Sequence, residues 1–71
     1  MKIQRQNVMI MVGDEYGEVI SYFDTESYSY GINIYYKGRL VSTQNSMQNE
    51  PDTEELRSIG TIYFKEATGK W

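Results

Sequence analysis

The chain has 71 residues and carries 10 acidic against 7 basic side chains, with neither cysteine nor histidine. That composition excludes a disulfide scaffold, a thiolate metal centre, the usual imidazole zinc ligand and the usual proton shuttle at neutral pH. So short a chain hides only about 60% of its unfolded surface, which leaves room for a single domain, residues 1–71, around a thin core worth about 3–5 kcal/mol.

Lys2 and Arg5 precede an apolar run, Val8-Met9-Ile10-Met11-Val12, that is too short for a signal-peptide core and stops at Gly13-Asp14-Glu15 without a cleavage site. No stretch approaches the eighteen or so apolar residues of a membrane span. The expectation is an intact, soluble, cytoplasmic protein with no membrane partner. The same apolar run, short and rich in β-formers, predicts a central strand that is apolar on both faces.

Gly13 to Gly17 has the composition of a hairpin connection, and Glu18 to Phe23 resumes a β pattern. After the polar turn Asp24-Thr25-Glu26-Ser27, Tyr28, Tyr30, Ile32, Ile34 and Tyr36 alternate strictly with Ser29, Gly31, Asn33 and Tyr35, which predicts a strand with one apolar face. Lys37-Gly38 fits a two-residue turn into a fourth strand, Arg39 to Thr43, placing Tyr36 opposite Arg39 and Tyr35 opposite Leu40.

Gln44 to Glu50 is polar and commits to no element. Pro51 to Arg57 has the only helix signal: Asp52 with Glu55 three residues on reads as a capping box, with acids where the helix dipole favours them. Gly60 and the β-branched Thr61-Ile62 limit that helix to two turns. A fifth strand is predicted over Thr61 to Glu66, followed by a tail from Ala67 to Trp71. The fold class is mainly β: a small antiparallel sheet or SH3-like barrel of four to five strands, with one short helix between the fourth and fifth.

Nothing in the sequence carries catalytic chemistry. The carboxylate pairs at Asp14/Glu15, Asp24/Glu26 and Glu54/Glu55 fall in turns or on a helix start, where acids cap backbone N–H groups or are solvated. No nucleophile motif, phosphate-cradling loop or EF-hand spacing is present. The chain therefore reads as a non-enzyme without cofactor or metal.

Four of the 7 tyrosines lie between Tyr28 and Tyr36, inside a stretch from Gln6 to Tyr36 that has no lysine or arginine. A single-strand nucleic-acid binder needs aromatic platforms beside a positive groove, and only Tyr35, Tyr36, Lys37 and Arg39 offer one. With a pI near 4.7, composition argues against that partner.

A protein partner suits the pattern better. If Val8, Ile10 and Val12 point into the core, Met9 and Met11 point away from it, and one short helix cannot cover both faces of a sheet. The uncovered face would carry Met9, Met11, Tyr35 and either Ile20 or Tyr22, of the residue types enriched at interfaces. Asp24, Glu26, Glu50 and Asp52 gather at the end away from Lys37, with Lys2 and Arg5 the only bases near, and could steer a partner with a basic surface. The leading expectation is a small inhibitor or adaptor of the phage or mobile-element kind. The alternative is a homodimer closed by the same face.

Overall fold

The computed structural model describes residues 1–69. Four strands, β1 (Lys2–Val12), β2 (Glu15–Asp24), β3 (Ser29–Tyr36) and β4 (Arg39–Met47), form one antiparallel sheet in the order β1-β2-β3-β4, and a single helix, α1 (Thr53–Thr68), follows them. The mainly-β class is as expected, and the sheet is an open meander with β1 and β4 as its edges.

Two tight turns hold the meander in register. Lys37 and Gly38 both have positive φ, +53° and +77°, the type I′ pair whose twist matches that of the flanking strands. Tyr36 consequently faces Arg39 and Tyr35 faces Leu40, as the spacing predicts. Between β1 and β2 the turn is Gly13-Asp14, with only the glycine at positive φ (+61°), which is the type II′ arrangement.

The strands run further than the apolar patterns do. β1 begins at Lys2, with a bulge at Arg5 where the register to β2 shifts between Gln4 and Gln6. The run from Val8 to Val12 lies on an edge strand and not, as expected, on a central one. β4 continues through Gln44 to Met47, where the sequence shows no commitment, because pairing with β3 supplies hydrogen bonds whatever the side chains are.

The largest departure follows β4. There is no fifth strand among the described residues: Thr61 to Glu66 is helical, and α1 has 16 residues, double the two turns expected. The predicted tail dissolves accordingly, with Ala67 and Thr68 in the helix and Gly69 as its C-cap at φ +71°, while Lys70 and Trp71 lie outside the described residues. Asp52 is the N-cap as predicted, its carboxylate accepting the Glu55 N–H at 2.9 Å.

Gly60 is a contact in this helix and not its end. Leu56, Gly60 and Phe64, four residues apart, form the buried stripe, and the missing side chain at Gly60 lets the helix backbone settle onto Val19 of β2. Thr61 and Thr68 return their hydroxyls to the carbonyls four residues back, at 2.6 and 2.7 Å. The stripe closes a core of Ile10, Val19, Ile32, Ile34, Leu56 and Phe64, with Val8, Tyr36, Val41, Met47, Ile59 and Tyr63 packed around it. One helix thus covers one face of the sheet.

Candidate interaction face

The other face follows from the register by alternation. Met9 pairs with Glu18, Glu18 with Tyr35 and Tyr35 with Leu40, a row that crosses all four strands. On the turn side of this row Met11 pairs with Tyr16; on its other side Asn7, Ile20, Asn33 and Thr43 form a second row. The face therefore has an apolar half toward the two hairpin tips and a more polar half behind it.

The apolar half is open to solvent. Met9, Met11, Tyr16 and Leu40 are 58%, 60%, 62% and 52% exposed, while Tyr35 and Ile20 are half-buried among them. Between the hairpin tips lies a shallow depression of about 340 Å³, lined by Met9, Tyr16, Glu18 and Tyr35, with Asp14 and Lys37 also at its boundary. The polar half is internally satisfied: Asn7 donates its side-chain amide to Glu18 at 2.8 Å, and Thr43 donates its hydroxyl to Asn33 at 2.6 Å.

Tyr22 does not belong to the accessible surface, contrary to the expectation. It is 3% exposed, because its ring lies directly over Gly31 on the neighbouring strand: a Cβ there would come within 2.3 Å of the phenol oxygen. The ε-ammonium of Lys2 sits 5.0 Å from the ring centroid, a cation–π contact. The Tyr22 hydroxyl is buried without a hydrogen-bond partner. Tyr22→Phe is therefore expected to keep or raise stability by up to about 1 kcal/mol, since it removes an unsatisfied buried group at no cost in packing. A urea titration with an unchanged m-value would measure it, and a loss above that size would reveal a partner for the hydroxyl.

Tyr35 and Tyr36 lie on opposite faces and make no common stacking platform. Tyr36 belongs to the core: its ring meets Phe64 edge-on at 5.4 Å, its hydroxyl donates to the Glu15 carboxylate at 2.6 Å, and Lys37 lies 5.2 Å from its centroid. Arg39, opposite Tyr36 in the register, is exposed.

The four carboxylates expected at the far end are all engaged within the chain. Glu26 pairs with the Met1 ammonium at 3.3 Å and Glu50 with Arg5, which raises the pKa of the guanidinium further through that hydrogen bond. Asp24 is held below the usual carboxylate range, chiefly by accepting the Glu26 N–H at 3.0 Å, and Asp52 caps α1. These acids shape turns and fasten the chain's start, with three cations at the same end.

Tyr16 and Leu40 are the members of the face that sequence reasoning passed over. The signal was available for Tyr16, since period-two alternation carried back from Tyr22 through Ile20 and Glu18 reaches it. For Leu40 it was the register across the Lys37-Gly38 turn. Among the described residues no group of histidine, cysteine, aspartate or glutamate is placed to hold a metal, and no helix is long and apolar enough to cross a membrane. Comparison with protein-family models, curated proteins and solved structures finds no match to this chain.

Proposed function

We propose that this chain is a non-enzymatic protein-binding module that takes its partner on the open face of the sheet. The observation that carries the reading is the exposed apolar half of that face, Met9, Met11, Tyr16 and Leu40 around Tyr35, on a sheet whose other face is covered by α1. Methionine adapts to a partner's contour and tyrosine adds rigid contact area with a polar tip, a combination suited to a small inhibitor or adaptor of a larger protein.

Glu18 sits within the apolar row, so the complementary partner presents a basic group framed by apolar surface. The acidic end, being internally paired, contributes little to this reading. A cytoplasmic setting, consistent with a chain free of cysteine, remains part of the proposal.

Met9→Glu combined with Tyr35→Glu tests it. Both new carboxylates stand directly opposite Glu18, and Tyr35 is half-buried, so the variant is expected to lose about 1–2 kcal/mol and melt below the parent while keeping the parent's circular dichroism spectrum at room temperature. Proteins enriched by the tagged parent from a native extract are expected to be lost by the variant. Equal enrichment by both would overturn the reading.

A further inference from the structure

We infer that β1 pairs with β1 of a second copy of this chain, antiparallel and about a two-fold axis at Ile10, to make one continuous eight-stranded sheet. The starting point is an asymmetry between the two edges. Natural edge strands are blunted by charges, prolines or bulges, because a flat row of unpaired backbone groups invites another strand. β4 is protected in this way: its sequence is polar, it opens on Arg39, and its pairing with β3 is broken twice, at Val41 and around Ser46, whose φ is +83°.

β1 has no such protection over Gln6 to Gly13, which carries no charge and no proline, and whose register to β2 is unbroken from Gln6 onward. The lone bulge of β1, at Arg5, lies just before this segment and ends it. An edge of this kind is made for pairing.

The segment is also its own complement. Val8-Met9-Ile10-Met11-Val12 reads the same in both directions, so antiparallel self-pairing at Ile10 sets Val8 against Val12, Met9 against Met11 and Ile10 against Ile10 of the second copy. Asn7 then meets Gly13, and no charged residue enters the ladder. Side chains stay on their own faces, methionine beside methionine on the open face and valine and isoleucine beside α1.

The backbone phase agrees. The Gln6 N–H points toward β2, where it donates to the Ser21 side-chain hydroxyl at 3.0 Å, and Val12 closes the two-residue turn opposite Glu15. Even-numbered residues of this stretch therefore spend their N–H and C=O groups on β2, and those of Asn7, Met9 and Met11 point outward. Outward groups at positions 9 and 11 are the ones a two-fold at Ile10 brings face to face.

This dimer uses an edge and leaves the open face free, doubling the exposed methionine surface, so it stands or falls independently of the partner proposed above. The test is solution mass across a concentration series, read together with amide hydrogen exchange. The mass is expected to rise from 8.3 kDa toward twice that value, with the amides of Met9 and Met11 passing from unprotected to protected as it does. Met11→Pro, which deletes one outward N–H and is tolerated on an edge, is expected to abolish the dimer, whereas Tyr35→Glu on β3 is expected to leave it intact.

A mass of 8.3 kDa at every concentration would overturn the inference. So would a dimer in which the Met9 and Met11 amides still exchange freely, or one lost with Tyr35→Glu but kept with Met11→Pro, which would place the contact on the face. Should Met11→Pro fail to fold, the exchange pattern of the unmodified chain decides the question alone.

Discussion

Phe64→Ala is expected to leave no cooperatively folded population at room temperature. The ring is fully buried, meets Tyr36 edge-on and fills the space left over Gly17, where a Cβ would already stand 3.3 Å from it. Truncating a buried phenylalanine costs about 3–5 kcal/mol. A domain of this size derives about that much from its whole core. The helix would lose the contact that docks its C-terminal half, and a helix of this length is marginal once undocked. Circular dichroism and a urea titration would read the loss, and Phe64→Leu is expected to retain a cooperative transition at lower midpoint. A Phe64→Ala variant that melted like the parent would mean that α1 is not seated on the sheet as described.

Gly60→Ala is expected to destabilise the protein although it improves the helix. In an isolated helix the change gains about 1 kcal/mol, since glycine is the poorer helix former by that amount. Here the added Cβ would stand 2.5 Å from a methyl of Val19, a fully buried side chain whose β-branching restricts its χ1. Overpacking of this kind costs typically about 1–3 kcal/mol, more than the propensity gain over most of that range. The melting temperature should fall by about 4–8 °C for each net kcal/mol lost. Combining Gly60→Ala with Val19→Ala tests the cause, because each substitution relieves the strain or cavity left by the other and the pair should cost less than the sum. A rise in melting temperature for Gly60→Ala alone would show that propensity outweighs the contact.

Gly60 also marks where local reading and tertiary structure part. Within the sequence its neighbourhood, Gly60-Thr61-Ile62, weakens a helix and favours a strand. The opposing evidence, Leu56, Gly60 and Phe64 at four-residue spacing with Ile59 and Tyr63 beside them, is helical only if the glycine counts as a member of the buried face. That membership depends on Val19, about forty residues earlier in the chain. A small residue at a close helix–sheet crossing is a packing decision, and local propensity does not contain it.

What the sequence by itself determined is the part of the molecule governed by short-range chemistry. The alternation from Tyr28 to Tyr36 defined β3 and its two faces to within one residue, Lys37-Gly38 defined the turn and the register beyond it, and Asp52 defined the start of the helix. Because a strand turns successive side chains to opposite faces, the opposed directions of Ile10 and Met9 were also legible, and with them an uncovered face. Tertiary structure decided the rest. It extended α1 to Thr68, carried β4 through an uncommitted polar stretch, set the apolar Val8–Val12 run on an edge, and sank Tyr22 over Gly31. The helix, the strand and the ring each depend on a partner elsewhere in the chain, the face of β2, β3 and a bare glycine in turn, and the edge position of β1 follows from the meander order of the sheet. Burial and pairing between such segments outweigh local preferences of about 1 kcal/mol per residue.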